Sequence, residues 1–351
     1  MQLTERIKAK ARDIGFGKVA ITNAAQFSDD TRKYYRNWLK QGFHGDLEYL
    51  ELNMEKRMAP EKVLKGARSI ISVALNYNPG DPGHPAGRMS GRIARYALGA
   101  DYHRVVPEKL SELLGFVKEE TNGDVRGSMY CDTGPLMEKA IAERAGLGWI
   151  GKHGVLVTQE FGSWIFLGEI LIDLPLCYDE PATNLCSSCT LCMESCPTGA
   201  IVSPGVVDIS RCISYLTVEN RQEIPEALRS ALGNWIFGCD ICQEVCPYNG
   251  NVPVTQEISF LPRPELVSAP LDMLFAVSVE RFDESFADSS IARARQEGFL
   301  RNIVVAMGNS GQRSFIPLLR TTRSNPNAVL KEHAKWAMAK IAGSKEQGTR
   351  R

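Results

Sequence analysis

The stretch Cys186–Pro197, CSSCTLCMESCP, places four thiols at intervals of two, two and three residues, with proline after the last. This is the pattern C-x2-C-x2-C-x3-C-P, in which three cysteines hold one iron–sulfur cubane and the fourth ligates a second. A reciprocal half is therefore required. CDICQEVCP supplies Cys239, Cys242 and Cys246, again followed by proline, and Cys212 in SRCISYL completes the set. Crossed ligation assigns one [4Fe–4S] cluster to Cys186, Cys189, Cys192 and Cys246, and the other to Cys196, Cys212, Cys239 and Cys242. Two zinc sites of four thiolates each would use the same eight residues. The C-P endings and the third closely spaced cysteine suit cubanes better. Cys131 and Cys177 stand outside both sets and read as buried apolar thiols.

A second constellation lies in YCDTGPLMEKAIAERAGLGWIGKHG, Tyr130–Gly154. Asp132 sits where an apolar run ends and a helical pattern begins, a common place for a catalytic carboxylate. The same position also suits a helix cap. The glycines of GLGWIG permit close backbone approach to a large flat ligand. No helix follows them, so a Rossmann nucleotide site is not inferred. His153, flanked by glycines, reads either as a ligand contact or as a structural histidine. ADYHRVV begins like the cobalamin-ligating pattern D-x-H-x-x-G, but position 106 is Val and the pattern fails. His103 is then a hydrogen-bonding, substrate-contacting or structural residue.

Positioning these residues requires a layered scaffold. Lys18–Ala24, Ser69–Tyr77, Val125–Asp132, Gly154–Thr158 and Ser163–Asp173 read as strands rich in branched residues. Helical patterns at Thr4–Ile14, Asp29–Gln41, Pro107–Glu119 and Leu136–Ala145 alternate with them. The first 175 residues therefore predict an α/β (α+β) domain. The Pro/Gly stretch Tyr77–Arg88 is too long for a simple turn and is expected to be solvent-exposed or to cover a site. A loop-rich ferredoxin-like module occupies 176–255, and 256–289 reads as a linker. The segment 290–351 predicts an all-α, HEAT-like unit, with helices at Gly298–Gly311, Ser314–Thr322 and Ala328–Gly343.

Charge is unevenly spread. The chain of 351 residues has 41 basic and 41 acidic side chains, yet Ile291–Arg351 holds 12 Lys/Arg against 3 Asp/Glu. Such a block fits an anionic partner, and Arg293, Arg295, Arg301, Arg313, Arg320, Arg323, Lys331 and Lys335 are candidates for one basic face. The polar N-terminus has no apolar signal region, and no run reaches the roughly 18 apolar residues of a membrane span. Clustered cysteines that are not spread like a disulfide framework point to a reducing, cytoplasmic compartment.

MYCDTG, AERAGLGWIGKHG, CSSCTLCMESCPTGAI, RCISYLT and GCDICQEVCP, taken in this order, resemble epoxyqueuosine reductase. The likeness runs over nearly the whole chain, including DYH and RNIVVAMGN. It implies a cobalamin-binding catalytic domain joined to a two-cluster module and a helical-repeat domain. It also implies cobalamin and two [4Fe–4S] clusters as cofactors, and an external electron donor. The substrate implied is tRNA whose wobble base carries an epoxide, reduced to the alkene of queuosine. By position in the matching motifs, the proton donor falls on Asp132, whose carboxyl would need a raised pKa from burial beside the corrin. Arg57, Asp132, His153, Ser214 and Asp240 are implied cobalamin contacts. Alternatives are another cobalamin/Fe–S reductase, such as a reductive dehalogenase, or a two-cluster ferredoxin-type electron carrier.

Overall fold

The computed structural model describes residues 1–81, 83 and 89–343. Most of Tyr77–Arg88 beyond Gly80, expected to be exposed or to cover a site, lies outside them. The N-terminal half is built on a four-stranded sheet: β1 (Lys18–Asn23), β2 (Ser69–Asn76), β3 (Gly127–Tyr130) and β4 (Ile165–Ile172), in the order β1-β2-β4-β3. Every pairing is antiparallel. The α+β alternative of the expected fold class is therefore the one realised, and Asp132 does not lie at the end of a parallel strand.

All eight residues of β2 are buried, as a central strand covered on both faces requires. Alternation sorts the side chains. Ile71 and Val73 join Ile7, Leu110, Leu113 and Val117 from helices Gln2–Asp13 and Tyr102–Glu120. On the opposite face Ala74 meets Ala142 and Ala145 of helix Glu138–Ala145. Gly168 on β4 sets the spacing: a Cβ there would stand 3.0 Å from Leu110 and 3.1 Å from Val106.

The helix expected from Pro107 starts five residues earlier, at Tyr102, and carries Pro107 inside it. Asp101 caps it by accepting from the His103 N–H. Leu156–Val157, read as an independent strand, forms a short antiparallel pair with Trp149–Ile150.

The cysteine-rich segment is irregular, with one-turn helices Leu191–Glu194 and Ile241–Glu244. Strand Trp235–Phe237 pairs in parallel with Arg92–Ile93 and so ties this segment to the first half. The stretch 256–289, expected as a linker, contains a helix at Leu271–Phe286 whose Leu271, Leu274, Phe282 and Phe286 enter the C-terminal core. Pro262, Pro264 and Pro270, crowded before the apolar run, concealed it. Helices Arg295–Ser310, Ile316–Arg323 and Ala328–Gly343 follow. Ala334 and Ala337 are buried, and a Cβ on Gly308 would lie 2.8 Å from Ala337. No helix among the described residues is long and apolar enough to cross a membrane.

Candidate active site

Strand β3 ends at Tyr130 and the chain turns so that Asp132 adopts φ +60°. A left-handed L-residue costs about 1–2 kcal/mol. Its N–H donates to Oε1 of Glu138 at 2.6 Å. A charge-assisted bond of that kind is worth about 1.5–3 kcal/mol, enough to hold the strained turn. The helix that follows starts at Glu138 without any side-chain cap, so Asp132 is not a capping residue.

Three donors converge on Oδ2 of Asp132: Oη of Tyr102 at 3.0 Å, Nε2 of His103 at 3.2 Å and Nη1 of Arg293 at 2.8 Å. Nδ1 of His103 lies 2.8 Å from Oδ1 of Asp101, and Nη2 of Arg293 lies 2.9 Å from Oε1 of Glu219. The early start of helix Tyr102–Glu120 is what delivers Tyr102 and His103 to the carboxylate. Asp132 keeps 45% of its side-chain surface open although it is ringed by these groups. Burial raises its pKa, but the His103 bond and the Arg293 charge outweigh this and hold the carboxyl below its ordinary value. Burial works against a charged His103, yet the bonds to Asp101 and Asp132 lift it to about 9. The expected raised pKa on Asp132 is therefore not found in this arrangement. At neutral pH the proton resides on the imidazole.

Asp132 lines an open pocket of about 240 Å³ with Tyr77, Tyr96, Tyr102, Phe166 and Lys139. Tyr102 stacks on Phe166 with ring centroids 4.2 Å apart. None of the other implied contacts lines it, and Asp240 lines a separate opening with Arg92, Arg95 and Trp235. His153 is buried; its Nδ1 accepts from the Val155 N–H at 3.1 Å, and its Nε2 is buried without a partner. Burial, with the Lys139 charge, lowers its pKa to about 4. Asp240 is also buried. Its Oδ2 accepts from the Arg95 N–H at 2.8 Å, its Oδ1 has no partner, and burial pushes its pKa to about 7. Arg57 donates to the Leu136 and Tyr49 carbonyls while its Nε is buried and unpaired. Ser214 is half-buried, and its backbone N–H bonds the sulfur of Cys212.

The glycines of GLGWIG serve the chain itself. Gly146 ends a helix at φ +87°, and a Cβ on Gly148 would lie 2.0 Å from the Val157 carbonyl. Cys131 is buried as expected, whereas Cys177 is exposed, on the irregular chain after β4.

The eight clustered thiols divide by the charges they feel. Cys192 senses Cys186, Cys189 and Cys246, and Cys246 senses Cys186 and Cys189. Cys242 senses Cys212, Cys239 and Cys196, while Cys239 senses Cys212 and Cys196. Proximity thus follows the crossed pattern of the sequence, with Cys246 beside the first motif and Cys196 beside the second. No group of three or more His, Cys, Asp or Glu among the described residues is arranged to hold a single metal ion. Lys139 senses both Asp132 and Cys212, which places it between the pocket and the second set.

Of the eight basic residues expected on one face, two serve elsewhere. Arg293 binds Asp132 and Glu219. Arg301 is 1% exposed and donates to the carbonyls of Leu216, Asn220 and Gln222. Sequence reasoning also missed Tyr102, Glu138 and Glu169. Only Glu169 left a signal: a lone acid within the apolar run SWIFLGEILID.

Comparison with known proteins shows the family. Residues 57–133 match the family model described as epoxyqueuosine reductase QueG, DUF1730. Residues 185–249 match that of a 4Fe-4S double cluster binding domain. The epoxyqueuosine reductase of Xanthomonas campestris pv. campestris is 39% identical over 339 residues, covering 95% of both chains. A crystal structure of epoxyqueuosine reductase with an epoxyqueuosine-modified tRNA-Tyr stem loop aligns at TM-score 0.90 and 34% identity, over 97% of this chain and 90% of the other. The Bacillus subtilis enzyme, solved with its catalytic aspartate loop swung out of the active site, aligns with the same score, identity and coverage. With these identities over almost its full length, the chain belongs to the epoxyqueuosine reductase family of oxidoreductases.

Proposed function

We propose that this protein reduces the epoxide of epoxyqueuosine at the wobble position of tRNA, giving queuosine, in the cytoplasm. The observation that carries the reading is an open pocket whose Asp132 is bonded to a proton-bearing His103, with Lys139 on its wall sensing the second of two four-thiol sets. The stem-loop complex of a relative supports tRNA as the substrate.

Reduction of an epoxide to an alkene consumes two electrons and two protons and releases water. The two thiol sets suit a pair of [4Fe–4S] clusters. Cys186, Cys189, Cys192 and Cys246 would hold one and Cys196, Cys212, Cys239 and Cys242 the other, and such clusters would supply single electrons taken from an external donor; Lys139 of the pocket lies near the second set. Cobalamin fits the remaining features: an aromatic-walled opening, and buried polar atoms of His153, Asp240 and Arg57 that lack partners. Arg57, His153, Ser214 and Asp240 would hold it, and when bound it supplies the two-electron chemistry at carbon.

The chain's own part is the proton. His103 keeps one at neutral pH, Asp132 accepts it through the 3.2 Å contact and delivers it to the epoxide oxygen, the same relay reloaded from solvent through the open pocket gives the second that lets the oxygen leave as water, and Arg293 steadies the carboxylate between deliveries. Tyr102 fixes the carboxylate's orientation. A base in a single-stranded loop can be splayed into such an opening.

Anaerobic reconstitution tests the reading. About eight irons per chain are expected if both sites are [4Fe–4S], together with a corrin absorption spectrum and conversion of epoxide to alkene in tRNA by mass analysis. Cys212→Ala should damage one cluster and spare the other. Iron loading without corrin binding would leave a plain electron carrier.

A further inference from the structure

We propose that Glu138 and Glu169 form a carboxyl–carboxylate pair that positions Asp132, latching its loop in the conformation that meets His103. The proposal rests on Asp132 as the proton donor. Glu169 projects from the middle of β4, paired across the sheet with Ser72 on one side and Tyr130 on the other. It is fully buried, and Ser72 Oγ, 3.3 Å away, is its neutral neighbour. Its Oε2 is buried without a hydrogen-bond partner, and the carboxyl that faces it is that of Glu138. Two carboxyls in contact cannot both ionise there, so one proton stays between them.

The remaining groups around the pair are Asp132, His103, Lys139 and the Cys131 thiol. The one cation among them with charge to spare, Lys139, directs its Nζ to the Gly154 carbonyl at 2.6 Å. Burial raises the pKa of both acids. Glu169 therefore serves as the proton-bearing partner and Glu138 as the acceptor. Glu138 then spends Oε1 on the Asp132 N–H at 2.6 Å, the bond that holds the backbone at φ +60°. The loop has little other room: a Cβ on Gly134 would lie 2.4 Å from the Tyr130 ring. Without the latch, Asp132 is free to leave its three donors.

The test compares Glu138→Ala, Glu138→Gln and Glu169→Gln in the reconstituted holoenzyme. Glutamine at 138 keeps the acceptor, and glutamine at 169 keeps a donor toward Glu138. Glu138→Ala should lower kcat by about 10-fold or more, with tRNA KM little changed, because the acid is misplaced rather than removed. Hydrogen exchange of residues 131–137 should speed up in that variant. Glu138→Gln should hold kcat within about threefold and keep exchange slow. Infrared difference spectra should show a protonated carboxyl in the parent protein at neutral pH that is lost in Glu169→Gln. Unchanged kcat and exchange in Glu138→Ala, or no protonated carboxyl lost in Glu169→Gln, overturns the proposal. Asp132→Asn separates the two readings: normal turnover there would defeat the acid assignment, while exchange of 131–137 and the infrared band still report on the latch.

Discussion

Asp132 and His103 share one proton, and the site's electrostatics decide who holds it. Asp101 on one ring nitrogen and Asp132 on the other make the imidazolium the stable form, and Arg293 keeps the carboxylate ionised. Replacement of Asp132 by Asn keeps the shape and removes the acid, so turnover should fall by about 100-fold or more, the usual scale for general acid catalysis. Cofactor and tRNA binding should persist; near-normal turnover with cofactor loading verified would remove the role. His103 adds a pH signature. With its value lifted from 6.5 to about 9, kcat should fall as pH rises through about 9. The stability it contributes follows the same sign: fully present below 6.5 and lost through about 9, because the folded state binds the proton more tightly. His103→Gln should abolish that alkaline limb in both kcat and melting temperature. A limb that survives the substitution would move the proton elsewhere.

Elements explain which residues were legible. The division of the eight thiols into two groups could be read from their spacing, and proximity in the fold follows the same division. Asp132 was legible from its motif, but its partners were not. His103 lies 29 residues away and Arg293 161 residues away, and only the packing of helix Tyr102–Glu120 and the chain before Arg295 brings them together. Pro107 misled the helix boundary because its place inside a helix is set by tertiary packing rather than propensity. Arg301 looked like surface charge for a similar reason. It sits on helix Arg295–Ser310 but faces inward, where three carbonyls of the cysteine-rich segment and the Asn302 Oδ1 surround it. Arg301→Ala would orphan those acceptors at about 1–3 kcal/mol each before water repairs some of them. A drop in melting temperature with reduced iron loading is expected, since these carbonyls lie at and beyond the C-terminal end of helix Ile213–Val218, whose other end is Cys212. Full stability and normal iron content in the variant would show that this junction is dispensable.

At the scale of the whole molecule, the proposed function asks the basic C-terminus and the pocket to serve the same ligand. Arg293 reaches Asp132 from the C-terminal part of the chain, so the helices that follow lie downstream of the very residue that meets it. Arg295, Arg313, Arg320, Arg323, Lys331 and Lys335 are exposed there. A tRNA whose wobble base enters the pocket has its phosphates available to such side chains, and phosphate contacts position a nucleic acid without reading its sequence. Neutralising phosphates releases counterions, so the logarithm of affinity should fall with the logarithm of salt by roughly 0.7–0.9 per contact. Reversal of Arg320, Arg323 and Lys335 to Glu touches neither the pocket nor the cysteine-rich segment. It should weaken tRNA binding, flatten that salt dependence and leave iron content unchanged. Lys335 contributes least of the three, because Glu332 stands 3.7 Å away and already offsets its charge. Arg320 and Arg323, in the last turn of helix Ile316–Arg323, carry most of the expected effect. Unchanged affinity and salt slope in the triple reversal would exclude this face, and the phosphates would then have to be met by cations around the pocket mouth.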